Sequence, residues 1–261
     1  MDKIEIGRIN QTVKKWLQAD YDLINKMMQS KLDISTKTGP RDLVTNVDKA
    51  SERFLIDKIR TFDPDSKILG EEGQGDRLTS MKGSVWIIDP LDGTMNFVKQ
   101  RDHYAIMLAL YQDGQGILGY IYDVPKNVLY SGGPAIGVFA NEQKLQNPEN
   151  VNLRSGLFGA SGPLVIENKF GMQSIIRNSA GMRIYGSAGI EFIHVLLGKT
   201  VGYISYLKPW DVAAGNILAS TLGLVCTKVD GTPLDMLSSN LVLVTTEKAQ
   251  QDIRKIVKEN V

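Results

Sequence analysis

The chain has 261 residues, 43% hydrophobic and 23% charged, with a net charge of +1; this suits one large domain or two tightly joined halves and gives no warrant for nucleic-acid or membrane attraction. A single cysteine, Cys226, excludes an internal disulfide and fits a reducing cytoplasm, and no apolar run approaches the roughly 20 residues that span a bilayer. Only two histidines occur, His103 and His194, each in an otherwise apolar run, so a zinc site or a Ser-His-Asp triad has little support and hydrolytic chemistry must come from carboxylates.

The N-terminal segment is charged and amphipathic rather than a signal peptide. Ile6, Ile9, Val13, Trp16, Leu17, Ile24, Met27 and Met28 recur near helical spacing. Residues 35–41 contain Thr-Gly-Pro and predict a loop or hairpin tip. A second helix is expected over about 46–60, ended by Phe62-Asp63-Pro64-Asp65. Short strands follow at 67–69 and 85–88. The runs 103–112, 117–124, 128–131 and 137–140 suggest a meander with Asp-Gly, Pro-Lys-Asn and Gly-Gly-Pro turns. Beyond Asn150 the pattern alternates, with strands at 157–160, 183–185, 201–206, 225–229 and 241–245. Helices are expected at 167–177, 187–197, 212–221 and 247–259. The order predicts an α+β half over 1–150 and an α/β half over 151–261.

Acidic residues stand in unusual settings in three separate segments. Gly70-Glu71-Glu72-Gly73 follows the strand at 67–69, Asp89-Pro90-Leu91-Asp92-Gly93-Thr94 follows the strand at 85–88, and Trp210-Asp211 precedes a helix. Sheet proteins place their sites at such carboxyl ends of strands and helix starts. Taken singly, each has a plain structural explanation: Asp92-Gly93 as a turn, Asp211 as a helix N-cap, Glu71 and Glu72 as a solvated loop, Asp48 as a helix-dipole partner. Read as a unit, the second segment says more. Pro90 stiffens the chain, the short spacing brings Asp89 and Asp92 to one point, and the Leu91 carbonyl can join them. Gly93 and Thr94 can present backbone N–H groups to an anion if Thr94 begins a helical turn. Hard oxygen ligands of this kind favour magnesium.

Asp89-Pro90-Leu91-Asp92-Gly93-Thr94-Met95-Asn96-Phe97 resembles the first signature of the inositol monophosphatase family, and Trp210-Asp211-Val212-Ala213-Ala214-Gly215 resembles its second. Gly70-Glu71-Glu72 is similar to the family's upstream acidic loop, and residues 42–48 to its N-terminal segment. The resemblance implies a five-layer αβαβα sandwich of the sugar-phosphatase type. It also implies what is usually a homodimer, and a phosphatase, often inhibited by lithium, that uses two or three Mg2+ ions on a small phosphate ester. Carried over by position, Glu71, Asp89 and the Leu91 carbonyl match the ligands of a first magnesium. Asp89, Asp92 and Asp211 match those of a second, and Glu71 also matches a residue that holds a third through water. Asp48 and Thr94 match the pair that orients and helps deprotonate the attacking water. Gly93 and Thr94 match the phosphate cradle, with Asp92 also on the substrate side. Gly186-Ser187-Ala188 matches a substrate-side turn, and Lys37 a basic loop position.

The resemblance leaves the substrate open between inositol 1-phosphate, NADP, fructose 1,6-bisphosphate and 3′,5′-bisphosphate nucleotides. Some bacterial relatives are partners of RNA or the transcription machinery, but near-neutral charge without a basic aromatic stripe argues against direct nucleic-acid binding. Animal-type relatives place an inositol-binding glutamate shortly before the Trp-Asp motif. Here that stretch reads Ile204-Ser205-Tyr206-Leu207-Lys208-Pro209, with no acid, which predicts relaxed specificity.

Overall fold

The fold is described from a computed structural model over residues 1–40 and 42–260. Arg41, which ends the predicted loop at 35–41, and Val261, which ends the second half, lie outside the described residues.

The chain begins with a long helix, α1 (Lys3–Met27), whose start is capped by Asp2 accepting from the Glu5 N–H at 2.8 Å. A hairpin of β1 (Ile34–Thr36) and β2 (Leu43–Thr45) leads into α2 (Asn46–Phe62). Ser35 and Thr36 are therefore paired strand residues, and residues 37–40 are the described part of the predicted hairpin tip. Seven strands build the first sheet: β3 (Lys67–Gly70), β4 (Ser84–Asp92), β5 (Ala105–Gln112), β6 (Gln115–Asp123), β7 (Val128–Gly133), β8 (Gly137–Ala140) and β9 (Gln143–Lys144). They lie in sequence order; β3 pairs parallel with β4 and the rest are antiparallel. A short helix, α3 (Thr94–Lys99), interrupts the run after β4.

The second sheet has five strands in the order β11-β10-β12-β14-β13, formed by β10 (Leu157–Ala160), β11 (Gly181–Arg183), β12 (Gly202–Leu207), β13 (Val225–Lys228) and β14 (Asn240–Thr245). Its helices are α4 (Gly162–Ile166), α5 (Met172–Arg177), α6 (Ala188–Leu196), α7 (Pro209–Thr221) and α8 (Glu247–Glu259). The single helix expected over 167–177 is broken, because Asn168, Phe170 and Gly171 all adopt left-handed backbone (φ 49°, 56° and 69°). Asn and Gly supply such conformations readily, a signal that outweighs the helical spacing of the apolar residues. The strand expected to start at His103 starts instead at Ala105, since His103 has φ 56° and cannot sit in a pleat. The strand expected at 183–185 lies at β11, two residues earlier.

Side-chain alternation along the strands sorts the interior into layers. In β4, Trp86 and Ile88 join Leu17, Leu55 and Ile59 in a core beneath α1 and α2, while Val85 and Ile87 face α6 and α7. In β14, Val242 and Val244 share that middle core, and Leu243 packs outward against Ile253 and Val257 of α8. Helices, sheet, helices, sheet, helices: the five-layer αβαβα sandwich is observed. The middle helices α6 and α7 are covered on both sides, which explains why so much of their surface is apolar.

Candidate active site

The β4 strand runs past Ile88, where the apolar pattern stops, as far as Asp92. Asp89 pairs with Met107 and Asp92 with Ala105, so three steps on one strand match two on the other. In a regular strand, residues 89 and 92 would face opposite sides. The extra residue of this bulge turns both acids to the α6–α7 side, while Leu91 packs into the opposite core. Pro90 suits the bulge because it has no N–H to pair. Asp89 is 1% exposed and Asp92 8%.

Asp211 reaches the same point from α7. The structure corrects its expected place as a helix N-cap: Lys208 is the cap residue and Pro209 opens the helix. Asp211 lies in the first turn, its carboxylate accepting the Lys208 N–H at 2.8 Å. Proline at a first helical position explains the earlier start. Carboxylate oxygens of Asp89, Asp92 and Asp211 all lie within 4.8 Å of one another.

Each acid is displaced toward its neutral form. Burial, then the charges of Glu71, Asp92 and Asp211, push Asp89 well above the usual carboxylate range. Burial raises Asp92 to about 6 despite three bonds that favour its anion: from the Ser187 hydroxyl, the Ala188 N–H at 3.1 Å and the Gly189 N–H at 2.7 Å. Desolvation and then Asp92 raise Asp211 to about 7. Carboxylates crowded into one desolvated spot either hold protons or hold a cation. The donor set is entirely hard oxygen, which fits magnesium.

The second part of the site is built by the start of α2. Thr45 Oγ1 accepts the Asp48 N–H at 3.5 Å while Asp48 Oδ2 accepts the Thr45 N–H at 2.8 Å, a reciprocal capping box, and Thr45 Oγ1 also accepts the Val47 N–H at 3.1 Å. The Thr45 hydroxyl also donates to Oδ2, at 2.5 Å. Asp48 Oδ1 is left for Thr94, whose hydroxyl lies at 2.8 Å from it and 3.1 Å from the Leu91 carbonyl. Burial raises the Asp48 pKa, opposed by these bonds. One turn along the same helix face, Glu52 accepts the N–H groups of Glu72 at 2.9 Å and Gln74 at 3.2 Å. A Cβ at Gly70 would collide with the Glu52 carboxylate, so glycine is required where that loop crosses.

Glu71 follows β3 beside the three aspartates but does not join their closest cluster. Its Oε1 accepts from Lys37 Nζ at 2.9 Å, and Glu72 accepts from the same ammonium at 2.5 Å. Burial pushes Glu72 up to about 7. For Lys37, burial would lower the pKa, but the two glutamates outweigh it and raise it.

Thr94 does begin a helical turn, α3, with Gly93 at its N-cap in left-handed backbone (φ 89°). A Cβ on Gly93 would approach the His103 carbonyl and the Ser187 side chain to 3.0 Å each. Gly186 likewise has positive φ (75°) and lies against Asn96, whose amide donates to the carbonyls of His103 at 2.9 Å and Tyr185 at 2.7 Å. Ser187 caps α6, but its hydroxyl and the Ala188 N–H end on Asp92. Lys208 is exposed, with Nζ 5.1 Å from the centre of the Trp210 ring. Glu52 was missed by sequence reasoning; its signal is the four-residue spacing from Asp48.

The profile of the inositol monophosphatase family matches residues 9–261. The inositol-1-monophosphatase of Bacillus subtilis (strain 168) is 40% identical over 240 residues, covering 90% of this chain and 91% of that protein. The fructose-1,6-bisphosphatase/inositol-1-monophosphatase of Thermotoga maritima is 32% identical over 232 residues, 87% of each. A crystal structure of an IMPase/NADP phosphatase complexed with Mg2+ and phosphate superposes with a TM-score of 0.91 at 29% identity, covering 97% of this chain and 95% of that one.

Proposed function

The chain belongs to the inositol monophosphatase family and is a phosphoric monoester hydrolase; from that premise we propose that it is magnesium-dependent and hydrolyses inositol 1-phosphate together with other small phosphate esters. The observation that carries the reading is the convergence of Asp89, Asp92 and Asp211 beside the Asp48–Thr94 pair. Glu71, Asp89 and the Leu91 carbonyl would hold one ion and Asp89, Asp92 and Asp211 a second, with Glu71 serving a third through water. When bound, magnesium supplies charge neutralisation at the phosphoryl and leaving oxygens and acidifies water.

The protein's own part is orientation and proton transfer. Thr94 has one hydroxyl proton. Donating it to Asp48 Oδ1 leaves the Thr94 lone pairs free to accept from an attacking water. As that water attacks phosphorus, its proton passes to Thr94 Oγ and the Thr94 proton to Asp48. Asp48 is suited to receive it: burial raises its basicity and Thr45 fixes its other oxygen. Backbone N–H groups of Gly93 and Thr94 face the phosphate, and the 186–188 turn faces the substrate while orienting Asp92. Lys37 supplies positive charge at the rim.

We place the active site between a half over 1–150, which brings Glu71 and the β4 acids, and a half over 151–261, which brings Asp211. A cytoplasmic homodimer is part of the proposal. Exposed Met182 and Ile184, in and beside the edge strand β11, and exposed Ile166 on α4 support it. Among the described residues, no helix is long and apolar enough to cross a membrane.

The test is phosphate release from a panel of esters in saturating magnesium. Asp89→Asn should remove nearly all turnover, since an amide offers neither the charge nor a second anionic oxygen. Full turnover in excess chelator, or by Asp89→Asn, overturns the mechanism.

A further inference from the structure

The buried stripe of α1 runs Ile6, Ile9, Val13, Leu17, Asp20, Ile24, so an acid stands where the helix otherwise buries apolar side chains. Asp20 is 0% exposed. Its Oδ2 lies 2.7 Å from the hydroxyl of Ser51, also fully buried, on α2 one turn beyond Asp48. Its Oδ1 has no partner. The Ser51 hydroxyl is in turn 3.4 Å from the carbonyl of Pro90. Pro90 is the residue between Asp89 and Leu91, in the bulge that turns both β4 acids toward the site. A buried polar chain thus runs from α1 through α2 to the back of the catalytic turn.

We propose that Asp20 and Ser51 are positioning residues for the Asp89–Asp92 turn: they hold the Pro90 carbonyl from behind and thereby set the affinity of the site for magnesium. The inference rests on the proposed metal site. Ser51 has one proton and two acceptors in reach. If Asp20 were ionised, that proton would go to its carboxylate and the Pro90 carbonyl would receive nothing from Ser51. If Asp20 carries its own proton, it donates to Ser51 Oγ, and Ser51 donates onward to Pro90. Only the second arrangement uses every contact, and it leaves the partnerless Oδ1 as a neutral oxygen rather than a buried charge. Burial agrees with it, pushing Asp20 up to about 7 against the lowering by the Ser51 bond. Partners one layer behind metal ligands commonly set affinity in this way.

Three variants separate positioning from packing. Asp20→Asn can donate from its amide to Ser51 as the neutral acid does, but its second amide hydrogen finds no acceptor. Asp20→Leu fills the volume without a donor. Ser51→Ala removes the link to Pro90. Magnesium binding by calorimetry and metal-free Tm are measured on each full-length protein. The expected order is split. Asp20→Asn loses Tm yet keeps its Kd within about threefold. Asp20→Leu keeps or gains Tm but, like Ser51→Ala, binds magnesium roughly tenfold to a hundredfold more weakly. Unchanged Kd in Ser51→Ala and Asp20→Leu overturns the inference, as does a Kd that simply follows Tm through the series. Failure of the unmutated protein to bind magnesium instead overturns the proposed metal site, and the inference with it.

Discussion

Replacing Asp211 with asparagine should stabilise the metal-free protein at alkaline pH. In the folded chain, desolvation and the neighbouring Asp92 raise Asp211 from 3.8 to about 7. The folded state therefore binds a proton more tightly than the unfolded state. Stability from this group is complete below about pH 4, falls as pH rises through the folded pKa, and stays low above it. At pH 8 a carboxyl raised from 3.8 to about 7 carries a penalty on the order of 4 kcal/mol. Asn cannot ionise, so it escapes the penalty. Its side-chain oxygen still accepts the Lys208 N–H, now made at 2.8 Å. Loss of negative charge at the start of α7 costs about 0.5 kcal/mol, leaving roughly 3 kcal/mol net. For a chain of this size that is on the order of 10 °C in Tm. The assay is thermal unfolding in excess chelator at pH 5 and pH 8. Asp211→Asn should melt higher at pH 8 and by less than half as much at pH 5, where the Asp211 penalty is only about 1.6 kcal/mol. In magnesium at about a thousand times Kd the order should reverse, because only the unmutated site gains the full linkage stabilisation of the ion that Asp211 holds, about 4.1 kcal/mol. A lower metal-free Tm for the variant at pH 8, or the same increment at both pH values, refutes the reasoning.

Other outcomes follow from the same geometry. Thr94→Ala removes the group between water and Asp48, so steady-state kinetics should show kcat falling more than KM changes; an unchanged kcat with raised KM would mean that Thr94 only binds phosphate. Glu52→Gln can accept from only one of the Glu72 and Gln74 N–H groups; the displaced 71–74 loop should raise the magnesium concentration for half-maximal activity roughly tenfold, and an unchanged activation curve would refute the link. The missing acid in 204–209 loses a charge-assisted bond worth about 1.5–3 kcal/mol. Fructose 1,6-bisphosphate or NADP should then compete with inositol 1-phosphate, and a preference for the latter beyond about a thousandfold in kcat/KM would sink the idea.

The parts legible in the sequence were those whose chemistry is local. Asp89 and Asp92 stand three apart around a proline, and their meeting at one point is expected from that stretch alone, whereas the bulge that brings it about is not. The helix at 247–259 has its stripe and its Thr246 cap in one stretch, and its bounds match α8. What could not be read depends on distant partners or on backbone handedness. The break at Asn168–Gly171 is set by left-handed residues inside an apolar rhythm that reads as helical. Glu52 looks like an ordinary exposed helix acid until the 71–74 loop folds onto it. Asp20 hides in the same way, since only the approach of Ser51 from α2 gives it a partner. The apolar run after Asp211 reads as a helix from Val212, and Pro209 at the first helical position starts it earlier, which moves Asp211 from the cap into the first turn.

Asp92 ends a strand of the first sheet and seats its carboxylate on the first turn of α6; Asp211 lies in the first turn of α7, the other helix of the middle layer. Both sheets of the sandwich pack on that pair of helices. Their starts are thus the place where like charges push the molecule open when cations are scarce. Supply of the ion should govern survival as well as turnover. On the proposed metal site, a cell short of magnesium should lose the protein as well as its activity, since a chain opened at those helix starts is exposed to proteases.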